Sequence, residues 1–221
     1  MKRINKQEKR RDTSCNDTKG MLKMARGDFS YMYPLLAAQI IRDYGTKSGK
    51  CLDIGAGPGL WGIELAKKCD LDVVAMDLSP QMCKIAEKMA REHGVSEKIK
   101  AIHADVHEIP FEDNYFDLII SKGSLIFWDE PTEAFKEIYR VLKPGGVTFI
   151  GIGDGRLWPQ DIKGIYKKIK FNIRVPLRNK FSPAWQKYHF DRAYWKNVMK
   201  EASIKNFRIV NHFMWMEIRK S

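Results

Sequence analysis

LDIGAGPG, residues 52–59, is the stretch on which the reading of this chain turns. CLDI (51–54) is a short apolar run of the kind that forms a strand covered on both faces. Gly55, Gly57 and Gly59 follow it, and a second apolar stretch with helical spacing then runs to about Lys68. Glycines at a strand-to-helix turn allow tight backbone geometry and let a ligand approach the main chain closely. The next strand-like run, VVAM (73–76), ends at Asp77, which lies 22 residues after Gly55. A spacing of roughly 20 residues is expected for a carboxylate that takes ribose hydroxyls. The ligand does not read as a dinucleotide. The motif GxGxxG needs glycine at position 60, where Leu60 stands, and Asp53 beside the loop would repel a pyrophosphate seated on the helix N-terminus. The same carboxylate favours a ligand that carries positive charge and no phosphate.

Outward from the loop the strand–helix alternation continues. Ser79-Pro80 opens a helix that runs to about His93, with the serine as cap, the proline in the first turn and Gly94 as the stop. IKAIHA (99–104) reads as a third strand and FDLIIS (116–121) as a fourth, reached through the loop 105–115. Pro131 starts a helix ending near Lys143, and Pro144-Gly145-Gly146 turns the chain into VTFIGI (147–152). Upstream, apolar residues recur at helical spacing from Phe29 to Tyr44, where Gly45 ends the pattern. Downstream, a helix from Arg192 to Ala202 precedes two strands, near Phe207–Asn211 and Met214–Ile218, joined by a short connection. The fold class is therefore α/β: a doubly wound, mostly parallel seven-stranded sheet of Rossmann-like type with a C-terminal antiparallel hairpin. Residues 1–28 read as a basic flexible tail and 29–221 as a single domain. Residues 153–190 combine Trp158, Trp185, three prolines and many Lys/Arg with weak periodicity; a helix is expected near Gln160 to Lys170, and the segment reads as a lid or substrate insertion.

A chain of 221 residues suits one domain with additions, and its 44% hydrophobic and 30% charged fractions are ordinary for a globular protein. No apolar run approaches the roughly 20 residues that span a bilayer, and the basic, polar start is not expected to be a secretory signal. Cys15, Cys51, Cys69 and Cys83 form no CxxC pair, so reduced thiols in a cytoplasmic protein are expected, with no metal site. The net charge of +12 is uneven: residues 1–50 carry +7, residues 51–154 carry −7 and residues 155–221 carry +12. The acidic middle suits a cationic ligand and the basic ends suit an anion.

Residues 50–152 resemble the core of the class I S-adenosylmethionine-dependent methyltransferases, in particular the broad group containing the quinone-biosynthesis C-methyltransferases. The resemblance rests on LDIGAGPG, VVAMDLSPQM, HADVHEIPFEDNYFDLII and VLKPGG, in that order and at the family's spacing. It implies S-adenosylmethionine as cofactor, a ligand with a sulfonium and an ammonium and no phosphate. It further implies that Asp77 takes the ribose hydroxyls and that Leu78 and Met82 pack near the adenosine. Asp105 would accept from the adenine amino group, and the Val106 N–H would meet a ring nitrogen. Asp53, Gly55, Ala56 and Gly57 would line the methionine moiety, with the Ser121 carbonyl turned to the ammonium. Core packing for Met82, surface placement for Asp105 and a hydrogen bond to its own loop for Asp53 are the plainer alternatives.

Methyl transfer is an in-line displacement in which positioning dominates, and a base is needed only when the acceptor must lose a proton. No catalytic residue is assigned, His189 being the one candidate. SKGSLIFWDEP, after the fourth strand, lacks the Asn/Asp-Pro-Pro-aromatic signature of amino-directed methyltransferases. Phe127, Trp128, Asp154, Trp158, Trp185 and Tyr188 are acceptor-side candidates, with Tyr33 and Tyr31 from the N-terminal helix; packing of these aromatics is the alternative. His103 and His107 read as structural. The expected acceptor is a small, planar or anionic molecule, and the chain a monomer or small homo-oligomer. The alternative is an RNA methyltransferase whose basic flanks meet phosphates, although no RNA-binding module is visible.

Overall fold

The chain closes one sheet around β1 (Ser48–Ile54), which pairs in parallel with β2 (Asp70–Asp77) on one side and β4 (Phe116–Lys122) on the other. β3 (Ile99–His103) lies parallel outside β2, and β5 (Leu142–Gly151) parallel outside β4. β7 (Trp215–Ile218) runs antiparallel to β5, and β6 (Phe207–Val210) antiparallel to β7, giving the order β3-β2-β1-β4-β5-β7-β6. This is the doubly wound, mostly parallel seven-stranded sheet with an antiparallel C-terminal pair. The computed structural model describes residues 18–27, 29–152, 191–210 and 215–221, with Ile165 and Ile169. The expected lid over 153–190, including its helix near Gln160 to Lys170, therefore lies outside the described residues apart from those two isoleucines. No described helix is long and apolar enough to cross a membrane.

Strand alternation divides the core in two. Cys51 of β1 faces α2 (Met32–Tyr44), α3 (Leu60–Lys68) and α4 (Pro80–Glu92), whereas Leu52 and Ile54 face α5 (Pro131–Val141) and α6 (Arg192–Glu201). On the first face Phe149 stacks on Trp215 with centroids 4.4 Å apart, and Trp61 meets both rings edge-on. Each such pair contributes about 1 kcal/mol beyond burial. Thr148 is a buried polar exception: its Oγ1 accepts from the Ile218 N–H at 3.0 Å and ties β5 to β7. At the N-terminus of α4 the Ser79 hydroxyl caps by accepting from the Met82 N–H at 3.4 Å, as its place before Pro80 predicts.

Three elements differ from the sequence reading. Within the expected tail, Thr18–Arg26 form a helix, α1. Nine residues with glycine near the start are too short to hold a helix alone. Docking stabilises it: Ala25 is buried, and Arg26 reaches Glu92 of α4 at 3.2 Å. The helix expected from Phe29 starts at Met32, after a turn at 29–31, so that Pro34 falls in its first turn, where a missing N–H costs nothing. Finally, α5 ends at Val141 rather than Lys143, because Leu142 already pairs with Phe116, and Pro144-Gly145-Gly146 lie within β5 beside a register shift. The Gly145 N–H bonds the Lys220 carbonyl at 2.7 Å, fastening this irregular stretch to the end of the chain.

Candidate active site

The strand order reverses between β1 and β4, and at their C-terminal ends the sheet leaves a crevice, the usual place for a ligand in an open α/β sheet. The glycine loop forms its floor. Gly55 has φ +63°, and a Cβ there would lie 2.3 Å from the Ser124 Cβ, so only glycine lets the loop pass under the β4 connection. The loop's donors turn inward: the Ala56 N–H bonds the Met76 carbonyl at 3.0 Å and the Gly59 N–H the Ala56 carbonyl at 2.9 Å. The Gly57 N–H, the group a pyrophosphate would want, donates instead to the Asp77 Oδ2 at 2.8 Å. The Asp77 Oδ1 accepts from the Ser79 N–H, also at 2.8 Å. Asp77 thus fastens the loop to the turn after β2, with both oxygens oriented and lone pairs left over for a ligand. Burial raises its pKa, and the Ser79 and Gly57 N–H groups together with the field of His103 oppose that rise.

A cleft of about 170 Å³ opens above these ends. Of the residues singled out from the sequence, Gly55, Asp77, Leu78, Met82, Asp105, Val106, Phe127 and Trp128 line it. Leu78, Met82 and Val106 supply apolar wall, while Asp77, Asp105 and Asp129 supply carboxylates. Met82 and Val106 are also buried in the core, so packing and lining coincide in them. Asp105 stands in the cleft wall rather than on the outer surface, its Oδ1 accepting from the His107 backbone N–H at 2.9 Å.

Other residues singled out lie elsewhere. Ala56 and Gly57 belong to the glycine loop and are not among the lining residues. Asp53, near the end of β1, is not among the lining residues; it is buried and accepts from the Gly62 N–H of α3 at 3.3 Å through Oδ2. By strand alternation Leu52 and Ile54 take the opposite face. Burial pushes its pKa up to about 7, further raised by Asp77 and opposed by the Gly62 bond and Lys122. The Ser121 hydroxyl, fully buried, donates to the Ile54 carbonyl at 2.8 Å and ties β4 to β1. Tyr33 packs against the α2 side of the core, and burial and then the field of Asp53 raise its hydroxyl pKa. Trp158, Trp185, Tyr188, His189 and Asp154 lie outside the described residues.

Met21, Lys122 and His107 are among the lining residues that sequence reasoning missed. Met21 belongs to α1, which it did not foresee. Lys122 ends β4 with its ammonium 4.2 Å from the Phe29 ring centroid and 5.6 Å from that of Tyr33. His107, read as structural, lines the cleft through the loop after β3. The SKGSLIFWDEP segment carried the signal for Lys122, a cation at a strand's C-terminal end. Phe127 from the same segment is 57% exposed at the rim.

Comparison with known proteins agrees with this geometry. The family described as "Methyltransferase domain" matches residues 52–150. Demethylmenaquinone methyltransferase of Staphylococcus aureus (strain MRSA252) is 35% identical over 112 residues, which cover 49% of this chain and 45% of that enzyme. The match therefore spans less than half the length of that relative. A crystal structure from Methanococcus maripaludis, provisionally designated an S-adenosyl-L-methionine-dependent methyltransferase, is 35% identical, covers 92% of each chain and superposes with a TM-score of 0.80. A SAM-dependent methyltransferase from Aquifex aeolicus shares the fold, with a TM-score of 0.66 at 19% identity over 92% of this chain and 97% of its own. From its sheet order, its glycine loop and this likeness along nearly the whole chain, the protein belongs to the class I S-adenosylmethionine-dependent methyltransferases.

Proposed function

We propose that this protein transfers a methyl group from S-adenosylmethionine to a small, planar or anionic acceptor. The observation that carries the reading is Asp77, held by the Gly57 and Ser79 N–H groups at the end of β2. With the loop donors engaged internally and carboxylates on the cleft wall, the site suits a cationic, phosphate-free adenosyl ligand and not a dinucleotide. Asp77 would take the ribose hydroxyls, Leu78 and Met82 would flank the adenosine, and Asp105 with the Val106 N–H would meet the adenine edge. Asp53, Gly55, Ala56, Gly57 and the Ser121 carbonyl would border the methionine end.

The cofactor supplies an electrophilic methyl on a positively charged sulfur. The protein's part is to orient the two reactants in line and keep water out, which can supply much of the rate without a catalytic side chain. Phe127, Trp128 and Lys122 border the space left for the acceptor, with Trp158, Trp185, Tyr188 and Tyr33 as further candidates and His189 as candidate base. The demethylmenaquinone enzymes among the relatives support a planar acceptor. We place the enzyme in the cytoplasm, where its buried thiols Cys51, Cys69 and Cys83 stay reduced. A second reading, methylation of RNA, draws on the net charge of +12. Transfer of labelled methyl from S-adenosylmethionine into an extract of the source cells, with and without ribonuclease, separates the two. Label in small molecules, unchanged by ribonuclease, supports the proposal. Label in large material that ribonuclease makes small sinks it in favour of RNA, and no incorporation at all counts against methyl transfer.

A further inference from the structure

We propose that Lys122 is the acceptor-recognising cation of this cleft, and that the acceptor it selects is a planar compound with an acidic hydroxyl, a phenol or an enol, held as its oxyanion. The inference rests on the methyltransferase reading and names the acceptor class for the same site. Lys122 ends β4 and pairs in register with Gly151 of β5. The chain is pinned on either side of it. The Ser121 hydroxyl donates to the Ile54 carbonyl at 2.8 Å, and the Gly123 N–H donates to the Gly151 carbonyl at 2.8 Å. The half-buried lysine therefore starts from a fixed point in the cleft wall, which Gly123, Ser124, Phe127 and Trp128 continue.

Among the described residues that line the cleft, Lys122 is the one lysine or arginine, and it stands with Asp77, Asp105 and Asp129. Those carboxylates repel an anion, so an anionic acceptor can enter only beside Lys122. A cationic acceptor would be repelled by the ammonium, and an uncharged one gains nothing from it. The ammonium lies 4.2 Å from the Phe29 ring centroid and 5.6 Å from that of Tyr33. Aromatic faces hold a cation without neutralising it, and they displace water from its flank, which strengthens its field in the cleft. Of the titratable groups around it, His107 lines the cleft with the three carboxylates, and Asp53 and Tyr33 lie in its field or under its charge. Burial pushes the Asp53 carboxyl up to about 7, so near neutral pH it cancels less of the ammonium's charge than an ordinary carboxylate would. Burial, and then the field of Asp53, keep the Tyr33 hydroxyl protonated.

An opposite charge within about 4–6 Å lowers the pKa of an acid by about 1–3. A phenol bound beside Lys122 then gives its proton to solvent near neutral pH, with no base in the site. A lone pair of the anion forms the bond to the methyl carbon, the carbon–sulfur bond breaks, and its electron pair stays on sulfur. The charge of Lys122 does by field what a general base would do by taking the proton.

The test uses para-nitrophenol, whose anion is coloured, bound to the full chain loaded with S-adenosylhomocysteine. That thioether carries no sulfonium charge, so Lys122 is the cation under test. Wild type should bind the anion roughly 10- to 100-fold tighter than the neutral phenol, read in a spectroscopic titration as a fall of about 1–2 in the apparent pKa of the bound reporter. Lys122→Met, similar in length and uncharged, should abolish that fall, and Lys122→Arg should keep it. Calorimetry should show S-adenosylhomocysteine affinity little changed in both. Lys122→Gln repeats the measurement where methionine impairs folding. A lysine that only clamps Phe29 and Tyr33 would alter stability when replaced and leave the reporter as in wild type, which overturns the proposal. Loss of S-adenosylhomocysteine affinity in Lys122→Met gives the ammonium to the cofactor's carboxylate and overturns it too. So does a wild type that binds no para-nitrophenol, or binds it with its pKa unmoved. In those three outcomes wild type still binds S-adenosylhomocysteine and the methyltransferase reading stands; a wild type that fails to bind it refutes that reading and the proposal with it.

Discussion

Replacing Gly55 by alanine should damage the protein far more than replacing Gly57, although both stand in the same loop with positive φ, +63° and +54°. Holding alanine in the left-handed region costs about 1–2 kcal/mol. The stiffer unfolded chain returns about 0.4–1 kcal/mol, so strain alone destabilises by about 1 kcal/mol. At Gly57 that is the whole effect on folding, since a Cβ there meets nothing within 4 Å. At Gly55 the new Cβ would stand 2.3 Å from the Ser124 Cβ and 2.9 Å from its Oγ. Carbon atoms rest about 3.5–4.0 Å apart, so the two segments must separate by more than an ångström, at about 1–3 kcal/mol. The shift also disturbs the Ser124 hydroxyl, which lies 2.5 Å from the Ser121 Oγ and 3.3 Å from the Ile54 carbonyl, adding about 1 kcal/mol. Gly55→Ala should therefore lose about 3–5 kcal/mol in urea unfolding and roughly 6–20 °C in Tm, against about 1 kcal/mol for Gly57→Ala. Gly94→Ala serves as the reference for strain alone, with φ +70° and no neighbour within 4 Å. Adding Ser124→Gly to Gly55→Ala should recover about 1–3 kcal/mol, whereas Ser124→Ala should recover little, because the overlap is with the Cβ. If Gly55→Ala proves no worse than Gly57→Ala and Gly94→Ala within about 0.5 kcal/mol, the close approach of loop and β4 connection is wrong.

Asp77→Asn should lower S-adenosylmethionine affinity at least about tenfold, because an amide NH2 must then face the Gly57 or Ser79 N–H; unchanged affinity by calorimetry would remove Asp77 from the site. Asp53 predicts a pH effect on stability. With a native pKa of about 7 against 3.8 in the unfolded chain, the native state holds a proton that the unfolded state has released between those values, so stability falls as pH rises through that window. From pH 5 to pH 8 the loss should be on the order of 3 kcal/mol, and Asp53→Asn should flatten it; parallel curves for the two proteins would show that the carboxyl titrates normally. Thr148→Val, nearly isosteric, should cost about 1–3 kcal/mol by orphaning the Ile218 N–H, and a neutral result in denaturant unfolding would show that this bond is not made.

The glycine loop and the strands beside it were legible because their determinants are local: apolar runs, turn glycines and a carboxylate at a fixed spacing. Asp77 and Asp105 were found for the same reason, each ending or following a recognisable strand. α1 was not legible, since its stability comes from docking through Ala25 and Arg26 rather than from its own residues. The bond from the Gly62 N–H to Asp53 was not legible, because it depends on how α3 packs against β1. His107 could not be found by periodicity, because it lies in a loop and its partner is fixed by backbone geometry two residues away. Lys122 follows an apolar run at a strand end, where a sequence pattern does not say whether the cation meets solvent or cleft. The β5 irregularity escaped because Pro144-Gly145-Gly146 is ordinarily a turn signal, and only pairing to Lys220 and Phe116 keeps it in the sheet.

The account depends most on the claim that this cleft takes an adenosyl sulfonium cofactor through Asp77. Calorimetric titration of the purified protein with S-adenosylmethionine and, separately, with a nicotinamide dinucleotide tests it directly. One-to-one binding of S-adenosylmethionine, lost in Asp77→Ala, with no heat from the dinucleotide, is the predicted result. Binding of the dinucleotide in its place, or S-adenosylmethionine binding that Asp77→Ala leaves unaltered, would contradict it.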